Sequence, residues 1–114
     1  MRRIAAFLLA FPFLASVAAW AGDPVFAIEF ENGEIRPAEI VVPANSRFKL
    51  ELRNVGTSPI EFESLELRKE KVIGPGVTTF IVFNRLSPGE YSFFDDFHPD
   101  TPPARLVVVE GKTE

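Results

Sequence analysis

The sequence predicts an all-β domain, a Greek-key antiparallel β-sandwich or barrel of seven to eight short strands. The first observation behind this prediction is an alternation of apolar and charged residues, clearest over 47–53, where Phe48, Leu50 and Leu52 share one face. A period of two with one charged face is typical of a half-buried strand. The second is a regular series of short turn signals between such segments, as in sandwiches and barrels.

Seven segments show the strand pattern, and turn signals separate most of them. In chain order the segments are 25–31, 39–42, 47–53, 59–63, 77–83, 90–95 and 104–110. The turn signals are Pro-Ala-Asn-Ser at 43–46, Asn-Val-Gly-Thr-Ser at 54–58, Gly-Pro-Gly at 74–76 and Ser-Pro-Gly at 87–89. Segment 65–71 fits either a short helix, from its residue types, or a charged edge strand. The expected core includes Phe48, Leu50, Leu52, Phe93 and Val107.

The first 21 residues have the pattern of a cleaved signal peptide. Arg2 and Arg3 precede a nearly unbroken apolar run over 4–18, and Ala19-Trp20-Ala21 supplies small residues where a signal peptidase cuts. The alternative is an uncleaved membrane anchor, for which the run is short. We therefore expect an exported chain with one domain over residues 22–114.

Composition excludes several classes of function. The net charge is −4, and removal of Arg2 and Arg3 makes the domain more acidic, so we expect no binding to nucleic acid. There is no cysteine, one histidine and one methionine, which is Met1. A thiol nucleophile, a disulfide and a zinc site with two histidines are therefore excluded, and no serine stands in a nucleophile-like context.

The order of the turn motifs resembles that of the cupredoxins. Segment 39–46 resembles the strand and Val-Pro-Ala-Gly turn before their core strand, and 53–59 resembles the turn that carries their first histidine. Leu-Ser-Pro-Gly-Glu-Tyr at 86–91 resembles the start of their penultimate strand, and 95–98 stands where they have Cys-x-x-His. The resemblance covers the whole chain after the signal peptide and implies a cupredoxin-like domain.

The resemblance also implies that the copper chemistry has been lost. In this register Ile60 holds the first histidine position, Asp95 the cysteine position and Pro103 the axial methionine position, while His98 keeps the second histidine. A blue-copper site needs a thiolate and two imidazoles, so no type 1 copper is expected.

A narrower resemblance points to iron. Ile60-Glu-Phe-Glu63, the segment up to Gly76 and the motif at 86–91 are similar to the cupredoxin-like domains that accompany bacterial iron permeases. That family implies a periplasmic protein that binds an iron or copper ion and delivers iron to an inner-membrane iron permease, beside a periplasmic metal-binding partner. It also implies an accessory role in ferrous iron oxidation and names Asp95 and His98 as ligands.

Asp95 and His98 are the first candidate site. Tyr91, Phe93 and Asp95 alternate onto one face, so Asp95 is expected to point inward, and the turn at His98-Pro99 would return the imidazole toward it. A carboxylate with an imidazole suits iron or cupric ions. The alternative is a hydrogen bond that only fixes the loop.

Glu61 and Glu63 form the second candidate site, because residues two apart in a strand share a face. They would bind metal with Glu66 or Glu70, or else form a solvated pair. Asp96 and Asp100 flank His98 and could add oxygen ligands or serve only the turn.

The aromatic side chains suggest a different class of function. We expect core and loop packing from five of them, namely Phe80, Phe83, Phe93, Phe94 and Phe97. Phe94 and Phe97 could instead form an apolar rim for a protein partner. The chain would then be a metal-free docking module for a periplasmic or membrane complex, or a degenerate domain with a structural role.

Overall fold

The computed structural model describes residues 22–111, and within that range every regular element is a β-strand. The predicted signal peptide lies outside the described residues. Among residues 22–111 no helix is long and apolar enough to cross a membrane. The strands are β1 (Val25–Glu31), β2 (Glu34–Arg36), β3 (Glu39–Pro43), β4 (Phe48–Asn54), β5 (Ile60–Ser64), β6 (Lys69–Ile73), β7 (Thr78–Phe83), β8 (Gly89–Asp95) and β9 (Ala104–Val109).

The strands form two sheets, which confirms the predicted all-β sandwich. One sheet has the order β2-β1-β4-β7 and the other the order β3-β9-β8-β5-β6. The sheets are not wholly antiparallel as predicted, because β1 pairs with β4 and β3 pairs with β9 in parallel. Such pairs join strands that are distant in the chain, so no local turn signal could have indicated them.

Two strands were not among the seven predicted segments, which explains why nine are found. β2 follows a two-residue turn at Asn32-Gly33, whose φ angles of 47° and 99° suit an Asn-Gly hairpin. β6 comes from the ambiguous segment. Residues 65–68 form a turn, and the charged residues after it continue as an edge strand rather than a helix.

The core lies between the sheets and is built from the inward-facing residues of alternating strands. Phe48, Leu50, Leu52 and Phe93 are fully buried, as predicted. The prediction for Val107 was wrong: β9 directs Ala104, Leu106 and Val108 inward, and Val107 lies half-buried on the outer face. Residues 106–109 are all apolar, so alternation of apolar and polar residues could not show which residues of β9 face inward.

The sheet that contains β5 and β8 positions both candidate sites. Phe62 of β5 lies opposite Asp95 of β8, and Glu63 lies opposite Phe94. Since side chains alternate across a strand, Phe62 and Asp95 face the core while Glu63 and Phe94 face outward. The two predicted sites therefore occupy opposite faces of the same sheet.

Candidate functional site

Asp95 is the last residue of β8 and its side chain is 0% exposed. Its Oδ1 accepts hydrogen bonds from the backbone N–H groups of Glu61 and Phe97, both at 3.0 Å. Its Oδ2 lies 2.7 Å from Nδ1 of His98. A buried carboxylate is costly unless such partners satisfy it, and here both of its oxygens are occupied.

His98 reaches Asp95 because the chain turns back directly after β8. The N–H of His98 donates to the carbonyl of Asp95 at 3.0 Å, which closes the turn and brings the imidazole over the carboxylate. The His98 side chain is 27% exposed, so one edge of the ring is open to solvent. The structure thus brings the predicted pair together, in an arrangement that serves equally as a hydrogen-bonded loop closure.

The other ring nitrogen of His98 joins a network that the sequence did not indicate. Nε2 lies 3.4 Å from Oγ of Ser58. Oγ of Ser58 is in turn 3.1 Å from Oδ1 of Asn32, which also accepts the N–H of Thr57 at 3.1 Å. We refer to Asn32, Ser58, Asp95 and His98 together as the loop clasp. The predicted turn at 54–58 contains Ser58 but did not indicate its contact with His98, and the Asn-Gly pair at 32–33 is a hairpin signal that could have located Asn32.

A serine, a histidine and an aspartate therefore lie in a row, but the hydrogen-bond directions do not activate the serine. Because Oδ1 of Asn32 can only accept, the Ser58 hydroxyl donates its proton there. The hydroxyl proton is therefore directed at Asn32 and not at Nε2 of His98, which lies farther away at 3.4 Å. A general base needs the opposite arrangement, in which the hydroxyl donates to the imidazole.

The residues that the resemblance places at the copper-ligand positions do not fit a type 1 copper ion. Ile60 is fully buried and apolar, Pro103 is exposed and has no ligand atom, and the chain has no cysteine. The space between the two remaining positions is closed by the 2.7 Å contact of Asp95 with His98. No thiolate and no second imidazole are available for such a site.

Glu61 and Glu63 lie on the outer face of β5, and Glu70 of β6 joins them. Glu63 and Glu70 are directly opposite each other in the antiparallel β5–β6 pair. One carboxylate oxygen from each of the three residues lies within 4.8 Å of the other two. We call these three residues the acidic cluster. Glu66, the other predicted partner, lies elsewhere, because its Oε1 accepts the N–H of Ser92 at 2.6 Å.

The electrostatics of the acidic cluster are unfavourable in the absence of a cation. Burial raises the pKa of Glu61 and of Glu63, and the negative charges of Glu70 and Asp96 raise both pKa values further. Among the ion pairs that the structure describes, none includes a member of the cluster. Like charges placed directly opposite each other on one sheet face destabilise the pairing of the strands.

The acidic cluster and the loop clasp touch through the backbone of one residue. Glu61 donates its N–H to Asp95 and accepts the N–H of Asp96 at 2.8 Å, while its side chain belongs to the cluster. Asp96 and Asp100 are both exposed, and of the two only Asp96 contributes to the raised pKa values of Glu61 and Glu63. The four predicted ligands therefore form two adjacent groups rather than one site.

The predicted aromatic rim is also divided between two places. Phe97 is exposed in the loop after β8, whereas Phe94 is half-buried on the outer face opposite Glu63. Phe83 and Phe93 are buried in the core as expected, but Phe80 is exposed on the outer face of the other sheet.

Several solved structures have a similar fold. The metal-binding domain of the Cu(I)-exporting P-type ATPase CopA of Streptococcus pneumoniae D39 has a TM-score of 0.66 and 20% identity, covering 75% of this chain and 85% of that chain. Auracyanin from Roseiflexus castenholzii has a TM-score of 0.60 and 14% identity, covering 78% of this chain and 99% of that chain. At these identities the likeness shows the fold alone.

Sequence comparison gives the family. The uncharacterized protein RP394 of Rickettsia prowazekii (strain Madrid E) is 32% identical over 81 residues, or 71% of this chain. The chain spans 65% of the length of that relative. Residues 4–108 match the family described as Cupredoxin-like domain. Since this match includes nearly the whole of the sandwich, the chain belongs to the cupredoxin-like domain family.

Proposed function

We propose that the protein is a periplasmic metal-binding protein of an iron-uptake system, and that iron is its cargo. The observation that carries the proposal is the acidic cluster, in which three carboxylates converge with no cation paired to them among residues 22–111. A bound cation would remove the repulsion between Glu63 and Glu70. Carboxylate oxygens are hard ligands and suit iron better than cuprous copper.

The loop clasp lies beside this cluster and contributes to the same function. The hydrogen bond from Glu61 to Asp95 fixes the backbone between the two groups. Asp95 and His98 would themselves become ligands only if a metal ion displaced the proton that they share at 2.7 Å. The acidic cluster is therefore the first binding position for iron, and the Asp95–His98 pair is the second.

Delivery to an inner-membrane iron permease, beside a periplasmic partner protein, follows from the resemblance of the segment from Ile60 to Gly76. Oxidation of a ferrous ion releases one electron, which an acceptor must receive. The acidic cluster is the one group of three or more possible metal ligands among the residues that the structure describes, so these residues offer no second centre of that kind to receive the electron. We accordingly propose binding and delivery, with any oxidation completed by a partner.

Calorimetric titration with ferrous iron under anaerobic conditions, ferric citrate and cupric ion tests this function. Replacing Glu61, Glu63 and Glu70 together by Gln should weaken iron binding by about tenfold or more, since it removes every charge of the site. Glu39→Gln with Glu90→Gln is the matched control, because both carboxylates lie on the same sheet face but pair with Arg105. Equal losses in the two variants would contradict a specific site.

A second candidate function is a metal-free docking module. The observation in its favour is that Asp95 and His98 are already fully hydrogen-bonded, with Ile60 buried at the neighbouring position. Substitutions in the acidic cluster and in the Asp95–His98 pair would then leave metal binding unchanged, and His98→Ala would only lower the melting temperature. These results together would favour the docking function over iron binding. Loss of iron binding in the variant with Glu61, Glu63 and Glu70 replaced by Gln would instead support the iron-binding function.

A further inference from the structure

The edge strand β7 differs from the other sheet edges in having no protecting residue of its own. Within residues 22–111 the sheets end in β2, β7, β3 and β6. β2 and β6 carry several charges, and β3 begins with Glu39 and ends with Pro43. β7 reads Thr-Thr-Phe-Ile-Val-Phe, without a charge or a proline. Charges and prolines are the usual means by which proteins prevent an edge strand from pairing with another chain.

Hydrogen bonds on both sides of β7 show which backbone groups point to its free edge. On the β4 side, the carbonyl of Val77 accepts the N–H of Asn54 at 3.0 Å. On the opposite side, Nζ of Lys71 lies 3.5 Å from the carbonyl of Phe80. In an antiparallel pair the residues alternate in the side to which they direct both backbone groups. Thr78, Phe80 and Val82 therefore direct their N–H and C=O groups away from β4.

The side chains of the same residues favour an apolar contact. Phe80 faces outward and is 45% exposed, with Nζ of Lys49 5.8 Å from its ring centroid, and Val82 on the same face is half-buried. The edge is self-complementary: if Phe80 lies opposite Phe80 of a second copy, Thr78 lies opposite Val82. Each of these pairs would exchange two backbone hydrogen bonds, about six in total.

We propose that β7 is an interaction edge through which two copies of this chain pair antiparallel, joining their four-stranded sheets. A second copy is the occupant because one edge supplies matched free backbone groups and matched apolar side chains on both sides of a two-fold axis. Each copy has one such edge, so the assembly closes at two. One strand pair buries less than the roughly 1,200 Å² of a standard interface, so association is weak and depends on concentration.

Lys71 opposes this pairing in the single chain. Its amino group caps the Phe80 carbonyl from β6, and Nζ of Lys69 lies 5.8 Å from the ring centroid of Phe83 nearby. The Lys71 side chain has to move aside before a second strand can pair with the Phe80 backbone. Lys71→Ala should therefore strengthen association severalfold.

Sedimentation velocity over about 10 µM to 1 mM tests the proposal, since weak pairs lie in this range. The expected result is a monomer–dimer equilibrium that Phe80→Lys abolishes by placing two charges at the two-fold axis. Val72→Lys is the matched control, because Val72 is 58% exposed on the β6 edge, and it should leave the equilibrium unchanged. Monomers throughout for both wild type and Lys71→Ala, or oligomers larger than two, would overturn the proposal.

Hydrogen exchange measured residue by residue gives a readout specific to β7. The amides of Thr78, Phe80 and Val82 face solvent in the single chain, so their protection should increase with protein concentration, while the amides of β6 should not change. Thr78→Lys is a second disruptive variant in case Phe80→Lys fails to fold, which circular dichroism would reveal. Protection that does not depend on concentration, in a protein that does dimerise, would assign the interface to another surface and overturn the proposal.

Discussion

The Asp95 carboxylate holds three parts of the chain together by itself. It accepts hydrogen bonds from the backbone of β5, from the loop after β8 and from the imidazole of His98. His98 then reaches Ser58, and Ser58 reaches Asn32 in the β1–β2 turn. At the scale of single residues, Asp95 is the centre of a polar network that joins β5, the loop after β8 and the β1–β2 turn.

Replacing Asp95 by Ala should destabilise the protein even when no metal is present. The substitution removes the charged acceptor of the part-buried N–H groups of Glu61 and Phe97, and a hydrogen bond to a charged group contributes about 1.5–3 kcal/mol. Urea unfolding in the presence of a chelator measures the loss. Asp96→Ala is the control, because Asp96 is exposed and the change should cost about 0.5 kcal/mol or less. An Asp95→Ala variant as stable as wild type would show that the clasp contributes nothing to the fold.

The β5–β6 hairpin is an element with two different faces. Its inner face supplies Ile60, Phe62 and Ile73 to the core, and its outer face carries the acidic cluster. Core packing thus holds Glu63 opposite Glu70 despite their repulsion. Packing of the inner face stabilises the hairpin, while repulsion between carboxylates on the outer face destabilises it, and a bound cation would reduce that repulsion.

This arrangement predicts the pH dependence of stability. Because the pKa values of Glu61 and Glu63 are raised, the folded state binds protons more tightly than the unfolded chain, so stability falls as pH rises from the ordinary glutamate pKa through the raised pKa values and does not change further above them. In Glu61→Gln with Glu63→Gln, the melting temperature should rise at about pH 7 and change little at about pH 4, where the carboxyls are largely protonated.

Thermal unfolding by circular dichroism with a chelator measures this effect. The control is again Glu39→Gln with Glu90→Gln, which removes carboxylates that pair with Arg105 and should not raise the melting temperature at neutral pH. Equal increases in the two variants would reflect net charge rather than the repulsion within the cluster.

Strand β4 is one of the two inner strands of its sheet, since it pairs with both β1 and β7. Leu50 on its inner face is fully buried, so Leu50→Ala should reduce the free energy of unfolding by about 2–5 kcal/mol. Urea unfolding is the measurement, and Leu65→Ala is the control because Leu65 is 72% exposed in a turn. Similar losses at the two positions would contradict the described core.

The whole molecule is a cupredoxin-like sandwich whose two sheets enclose one apolar core. The loop after β8 carries Asp96 and His98, next to the buried Asp95 at the end of the strand. The chemistry available at that end is set by carboxylates and one imidazole. We therefore expect hard-metal chemistry from a fold that is otherwise associated with copper.

Copper titration of the whole protein tests this expectation. Without a thiolate, cupric ion should produce only the weak colour of a nitrogen–oxygen site and no intense charge-transfer band. Visible absorption spectroscopy is the measurement, with a thiolate-containing blue-copper protein as the positive control. An intense blue band from the pure protein would be incompatible with its composition.

The sequence by itself determined the inward face of the strands that alternate clearly, and it determined which chemistry is absent. Alternation placed Phe48, Leu50 and Leu52 in the core, put Glu61 and Glu63 on one outer face and directed Asp95 inward. The lack of cysteine excluded type 1 copper without any coordinates. These features depend on local periodicity or on composition, and both are complete in the chain as written.

The tertiary structure decided which distant segments meet. Only the hairpin register placed Glu70 opposite Glu63, and only loop packing brought Ser58 to His98, 40 residues later in the chain, and to Asn32, 26 residues earlier. The tertiary structure also decided the parallel pairing of β3 with β9 and the outward position of Val107. A period of two records the face of a strand but not its partner, because the partner is selected by packing across the whole core.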